Sequence, residues 1–234
     1  MLKILKANEE YENNIKKYTK KDGILALILF AIMIIMCVLQ GVLYNKFNFI
    51  KDNIRLVGCL FYLLLIVISI LFVKLSKQKL DTIGFKGRWK LSIIIGGILS
   101  LIYFYNNCLS HLINGEKLVS VIEIVSLIIF YFAVSASEEI VFRGYIGTRL
   151  NGLIKNKYIV LFITGILFIV MHFPYRMIAY GMSISDLTIN NIRWIVDVFI
   201  FHLMLSFIYM KTNSLCGSIL PHWVSDLAYS IILK

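Results

Sequence analysis

Residues 24–44 read ILALILFAIMIIMCVLQGVLY, a run of 21 residues without a charged side chain. A helix rises about 1.5 Å per residue, so this run is long enough to cross the roughly 30 Å hydrocarbon core of a bilayer. Comparable runs recur at Leu56–Val73 and Leu91–Ile113. The pattern indicates a fold built from membrane-spanning helices.

The composition of the chain points the same way. Hydrophobic residues make up 59% of the 234 residues and the mean hydropathy is +0.83, whereas charged residues make up 16%. Soluble domains usually contain about 25% charged residues. Unbroken apolar runs favour helices over a barrel, because a helix satisfies its own backbone hydrogen bonds in lipid. We therefore predict an all-α, polytopic transmembrane bundle of about seven to eight helices with a central polar cavity.

Four further candidate spans are short or carry polar residues: Leu118–Ser137, Tyr158–Phe173, Trp194–Met210 and Leu215–Leu233. The sequence contains two prolines, no repeat and no low-complexity tract, so nothing divides it into separate domains. We predict a basic cytoplasmic N-terminal segment over residues 1–23, able to form a short surface helix, and a single transmembrane domain over residues 24–234. The run that follows this segment is longer than the 7–15 apolar residues of a signal peptide, so we expect it to be retained.

The net charge of +11 follows membrane topology rather than a nucleic-acid interface. Placing the N-terminus in the cytoplasm puts 17 of the 24 Lys and Arg residues on that side, as the positive-inside rule requires. We therefore expect contact with membrane lipid and no nucleic-acid partner. The cysteines lie singly in apolar runs without C-x-x-C spacing, which is typical of packing residues: Cys37, Cys59, Cys108 and Cys216.

The first polar cluster is Glu138-Glu139-Ile140-Val141-Phe142-Arg143. Glu139 and Arg143 are four residues apart, so on a helix they share a face and can pair. Glu138 lies about 100° around the axis and points elsewhere. We interpret Glu138 as a general base that accepts a proton from water and the Glu139–Arg143 pair as support for its helix. Alternatively, all three charges end a helix at the cytoplasmic headgroups, where charge is tolerated.

Two further clusters supply imidazole groups. His172 follows Phe168 by one helical turn, and His222 and Asp226 lie four residues apart in an apolar stretch. A lone histidine is more often a helix-end residue, but the second pair projects from one helix face into the bundle. Acidic and imidazole groups from three helices are costly to bury without partners. We therefore expect the three clusters to converge on one water-filled cavity.

The ordered motifs E-E-x-x-x-R, F-x-x-x-H and H-x-x-x-D resemble the CAAX protease and bacteriocin-processing family of intramembrane endopeptidases, also called the CPBP or Abi family. The resemblance covers about residues 118–233 and all of the polar clusters. In the first motif it implies that Glu139 and Arg143 are structural supports of the site.

The resemblance also implies catalytic roles. It implies that Glu138 and His172 activate the water that attacks a peptide carbonyl, and that His222 and Asp226 stabilise the oxyanion. The last position is often Asn in this family, and an ionised Asp226 cannot donate a hydrogen bond to an oxyanion. Asp226 would then have to be protonated or orient His222 instead.

A metal site is a second interpretation of the same residues. Two histidines and two carboxylates form an acceptable donor set for zinc or another divalent metal, which would acidify a bound water: Glu138, His172, His222 and Asp226. The absence of an H-E-x-x-H helix favours catalysis without metal.

The sequence therefore predicts an intramembrane endopeptidase that cleaves a membrane-associated or small peptide substrate. The alternative is a non-catalytic membrane scaffold, or an immunity or envelope-regulating protein, on the same fold. A proton-coupled transporter is a third possibility, although no matching second half is present. The abundance of Lys, Asn and Ile suggests a bacterial protein, so we expect it in the cytoplasmic membrane with its N-terminus in the cytoplasm.

Overall fold

The computed structural model describes residues 7–233, so Lys3 and Lys6 of the predicted basic segment lie outside the described residues. The described chain is all-α, as the unbroken apolar runs predict. Its main helices are α1 (Glu9–Lys17), α2 (Lys20–Lys46), α3 (Ile54–Leu75), α4 (Trp89–Ile113), α5 (Val121–Gly152), α6 (Lys157–Tyr180), α7 (Ile192–Thr212) and α8 (Cys216–Ser230). Short helical turns lie in the connections at Asn48–Asp52, Leu80–Ile83 and Ile184–Leu187.

Six helices of the described chain, α2 to α7, are long and apolar enough to cross a membrane. The seventh predicted span corresponds to α8, whose 15 residues extend about 22 Å. The chain after α8 continues beyond the end of the helix and pairs with the segment before α5. Val119 N donates to Ile231 O at 2.9 Å, and Leu233 N donates to Lys117 O at 2.8 Å.

Successive helices run in alternate directions, so their connections lie at two ends of the bundle. The N-terminal end contains α1 and the connections α3–α4, α5–α6 and α7–α8. Two backbone hydrogen bonds join these connections, from Arg88 N to Thr212 O at 2.7 Å and from Leu215 N to Gly84 O at 3.0 Å. The opposite end contains the connections α2–α3, α4–α5 and α6–α7.

The predicted surface helix is α1, and it is packed against the bundle. Tyr11 and Ile15 are buried, and the Tyr11 ring meets the Tyr209 ring edge-on with centroids 6.0 Å apart. Lys157 forms an ion pair with Glu12. Helix α1 therefore covers the start of α6 and the end of α7.

Helices α4 and α8 approach each other closely enough for backbone contact. A Cβ atom on Gly96 would lie 2.7 Å from Gly217 O, and one on Gly217 would lie 2.3 Å from Ser92 O. Gly217 N also donates to Ser92 Oγ at 2.8 Å. This contact fixes the start of α8, five residues before His222.

We predict that Gly96→Ala destabilises the protein while Gly97→Ala does not. The methyl group at position 96 would press on the α8 backbone, and overpacking typically costs about 1–3 kcal/mol. No atom lies within 4 Å of the corresponding position on Gly97, where alanine also improves helix propensity. Thermal unfolding of both purified variants in detergent measures the difference, and equal midpoints would contradict the close α4–α8 contact.

Candidate active site

The first motif lies where α5 changes its helical geometry. The helix is α-helical to Glu139, and Ile140–Ile146 form a π-helical segment. Such segments are rare and occur often at functional sites. Arg143 Nη1 donates to Glu139 Oε1 at 2.8 Å, and the two side chains are 1% and 0% exposed. The pair predicted from the spacing is present, and it is completely buried.

The buried pair lets α5 continue past the predicted end of the fourth span. That end, Ser137, is wrong, because α5 extends to Gly152. Glu138 therefore lies near the middle of a 32-residue helix. The alternative in which these charges end a helix at the headgroups is also wrong, since Glu138, Glu139 and Arg143 are all buried.

His222 links α8 to both glutamates of α5. Its Nδ1 lies 2.8 Å from Glu139 Oε1, and because a carboxylate only accepts, Nδ1 carries the hydrogen. Its Nε2 lies 3.8 Å from Glu138 Oε2 and 3.6 Å from Asp226 Oδ2. One oxygen of Glu139 thus receives hydrogen bonds from both Arg143 and His222. The sequence spacing contains no signal for the Glu139–His222 contact, because the two residues are 83 positions apart.

His172 lies at an interruption within α6. The α-helical part ends at Val170, and a second part, Phe173–Tyr180, begins after His172 with Pro174 in its first turn. Proline is tolerated there because the first N–H groups of a helix have no intrahelical partner. The predicted end of this span at Phe173 is therefore wrong. The His172 Nδ1–H donates to Phe168 O at 2.7 Å, which leaves Nε2 as the acceptor nitrogen.

A cavity of about 320 Å³ is lined by two of the four catalytic candidates, Glu138 and His172. Its wall comes from α2, α3, α5 and α6 and includes Cys37, Gln40, Tyr62, Ser137, Tyr175 and Arg176. The wall extends to Arg55 and Tyr180, near helix termini at the opposite end of the bundle. His222 is not part of the wall and approaches Glu138 from α8. A cavity is therefore present with Glu138 and His172 on its largely apolar wall, whereas His222 and Asp226, which we expected on the same cavity, are not part of that wall.

The Phe168 side chain separates the polar groups of the site. Its ring lies 4.7 Å from Arg143 Cζ, 5.2 Å from the His172 ring centroid and 6.2 Å from the His222 ring centroid. Phe201 also packs against His222, with centroids 5.4 Å apart. The F-x-x-x-H motif indicated Phe168, whereas no sequence pattern singled out Phe201.

The predicted metal donors do not form a grouped ligand set. Within residues 7–233, no group of three or more His, Cys, Asp or Glu side chains could hold a metal ion. The Nδ1 atoms of His172 and His222 are both engaged by protein oxygens. This engagement leaves Nε2 as the nitrogen of each imidazole that could act as an acceptor or a metal ligand.

Two other polar residues of the spans, Glu123 and His202, have polar contacts with neighbouring side chains. Glu123 pairs with Arg55 at 2.7 Å, at the opposite end of the bundle. His202 is buried, with Nε2 3.3 Å from both Thr164 Oγ1 and Ser206 Oγ. Neither Glu123 nor His202 lies in the cavity wall.

Comparison with protein families places these motifs in a known group. Residues 120–228 match the family model described as type II CAAX prenyl endopeptidase Rce1-like. The matched range contains every motif residue of the three polar clusters, and it confirms the family resemblance. Searches of curated proteins and of solved structures found no match to the chain.

We predict that Arg143→Gln destabilises the protein strongly, whereas Arg193→Gln does not. Removing one partner of a buried ion pair typically costs about 3–5 kcal/mol, because the other charge is left without compensation. Arg193 and Asp197 have the same i,i+4 spacing, but they are 96% and 67% exposed and 4.0 Å apart. Thermal unfolding of both variants measures the contrast. Equal stability would mean that the Glu139–Arg143 pair is not buried in the folded protein.

Proposed function

We propose that this protein, whose residues 120–228 belong to the Rce1-like type II CAAX prenyl endopeptidase family, is a membrane-embedded endopeptidase that uses water activated by Glu138 and His172. The observation that carries this proposal is the presence of both side chains on the wall of one cavity, from helices α5 and α6. A carboxylate and an imidazole with a free acceptor nitrogen are the usual groups for proton transfer to and from water.

In the proposed reaction Glu138 accepts a proton while the water oxygen attacks the carbonyl carbon of the peptide. The carbon–nitrogen bond then breaks, and the departing amine receives that proton. His172 lies on the same cavity wall, and its Nε2 is proposed to orient the water as a hydrogen-bond acceptor. The Phe168 carbonyl fixes this nitrogen as the acceptor by holding the Nδ1 hydrogen.

We propose that His222 and Asp226 stabilise the negative charge that develops on the carbonyl oxygen. Glu139 and Arg143 hold His222 through its Nδ1, so that Nε2 points toward Glu138 and Asp226. A protonated His222 would present an Nε2–H group there, and preorganised donors of this kind are typically a large part of catalysis. Glu139 is thus proposed to position a catalytic side chain in addition to stabilising α5.

We propose that the reaction needs no metal ion, because within residues 7–233 no group of three or more His, Cys, Asp or Glu side chains could hold one. The Nδ1 atom of His222 and Oε1 of Glu139 bond each other, and Arg143 binds the same oxygen.

We further propose that the N-terminal end faces the cytoplasm of a bacterial cell. The distribution of Lys and Arg supports this orientation. The cavity wall extends toward the other end, at Arg55 and Tyr180. A peptide would then enter from the outer side of the membrane, so membrane-associated or small peptides outside the cytoplasm are the proposed substrates.

We predict that Glu138→Gln and His172→Ala each lower peptide cleavage by at least about 100-fold, the usual contribution of a general base. Their controls are Glu116→Gln and His111→Ala, because Glu116 and His111 form a half-exposed pair with each other outside the cavity wall. A quenched fluorescent peptide library in detergent micelles measures cleavage, and thermal unfolding checks that each variant is folded.

The same assay separates the proposed mechanism from its competitors. Cleavage by the unaltered protein should persist in the presence of a chelator, and its loss with recovery on adding zinc would contradict the metal-free assignment. Normal cleavage by folded Glu138→Gln would refute the catalytic role of Glu138. Retained biological activity in both site variants would instead favour the non-catalytic scaffold.

We predict that Asp226→Asn retains cleavage and extends it to higher pH. An amide donates a hydrogen bond at every pH, whereas a carboxyl group donates only when it is protonated. Asp226→Ala, which cannot donate, should lose most activity. The pH profile of cleavage measures the effect. An inactive but folded Asn variant would show that Asp226 acts as a carboxylate that orients His222.

A further inference from the structure

Arg176 is a cation on the wall of the same cavity as Glu138 and His172. It forms no ion pair with any residue in the described part of the chain. The second arginine of the wall, Arg55, differs because Glu123 binds its guanidinium at 2.7 Å. Arg176 is therefore the arginine of the cavity wall whose charge is not matched by a carboxylate of residues 7–233.

The guanidinium of Arg176 is held in place by Trp194 of α7. Its Cζ atom lies 4.1 Å from the centroid of the Trp194 ring, and the same ring packs against His172 with centroids 5.5 Å apart. Stacking on an aromatic ring uses the face of the guanidinium plane. The N–H groups at the edge of the plane stay available, and their geometry matches that of a carboxylate.

Arg176 follows His172 by four residues, which corresponds to about 6 Å along a helix. An extended peptide advances about 3.3–3.6 Å per residue. The Arg176 and His172 side chains also contact the same Trp194 ring. A peptide bond placed at Glu138 and His172 would therefore leave a group about one to three residues away beside Arg176. Arg176 also lies on the side of His172 that leads to the opposite end of the bundle.

We propose that Arg176 determines substrate specificity by binding a carboxylate of the peptide, about one to three residues from the bond that is cleaved. This inference rests on the proposed function of the site. The carboxylate belongs either to the C-terminus of the peptide or to an Asp or Glu side chain. Fixed by Trp194, the guanidinium binds it at the cavity wall and sets the distance to Glu138.

Binding, rather than cleavage, tests the proposal, so that a failure of the catalytic assignment does not affect the outcome. All proteins carry Glu138→Gln and are immobilised in a non-ionic detergent, which supplies no anionic headgroups. Each is incubated with an equal mixture of random hexapeptides in three forms: free C-terminal acids, C-terminal amides, and amides whose last residue is Asp. Mass spectrometry of the retained peptides gives the enrichment of each form.

We expect a carboxylate-bearing form to be enriched about tenfold over the plain amides, the usual range for a charge-assisted bidentate contact. Enrichment of the acids identifies the C-terminus as the source, and enrichment of the Asp amides identifies a side chain. Arg176→Gln should abolish the preference, and Arg176→Lys should retain part of it. Arg193→Gln is the matched control, because Arg193 is 96% exposed and lies outside the cavity wall, and it should retain the full preference.

Two results would overturn the proposal. The first is the absence of a preference for carboxylate on the protein with Arg176, including the case in which no peptide is retained. The second is a preference that persists unchanged in folded Arg176→Gln.

Discussion

The organisation of this protein depends on one carboxylate oxygen, Oε1 of Glu139, which binds Arg143 within α5 and His222 across the bundle at 2.8 Å each. A charge in an apolar interior is tolerated only when it is paired and hydrogen-bonded. Because Arg143 compensates Glu139, α5 can continue as a helix through a cluster of charges. Because His222 binds the same oxygen, α8 lies beside α5 and its position along α5 is fixed.

The same requirement explains how the short helix α8 is held. Its start is fixed by Gly217 N on Ser92 Oγ, and the chain after it pairs with the segment before α5. Between these two attachments, the His222–Glu139 bond is a polar link from α8 to α5. A 15-residue helix attached at both ends and at its middle has little freedom to slide, which keeps His222 Nε2 near Glu138 and Asp226.

The sequence predicted the residues of this site and their pairing within one helix better than the contacts between helices. Apolar runs located the helices, and the i,i+4 spacing predicted the Glu139–Arg143 pair, because both signals are local. The ends of α5 and α6 were misplaced, since charges and proline normally end a helix. Here a buried ion pair and the interruption at His172 let the two helices continue. The Glu139–His222 contact depends on tertiary packing alone, so no spacing within one helix could predict it.

The two adjacent glutamates illustrate why the motif needs two carboxylates rather than one. Glu139 holds Arg143 and His222 through Oε1 and is not part of the cavity wall, so it is poorly placed to accept a proton from water in the cavity. Its neighbour, about 100° around the helix, faces the cavity instead. Adjacent positions on one helix therefore separate a supporting carboxylate from a reactive one. Glu139 also fixes the imidazole of His222, whose Nε2 lies 3.8 Å from Glu138. His222 is therefore held near Glu138 at a distance longer than a hydrogen bond.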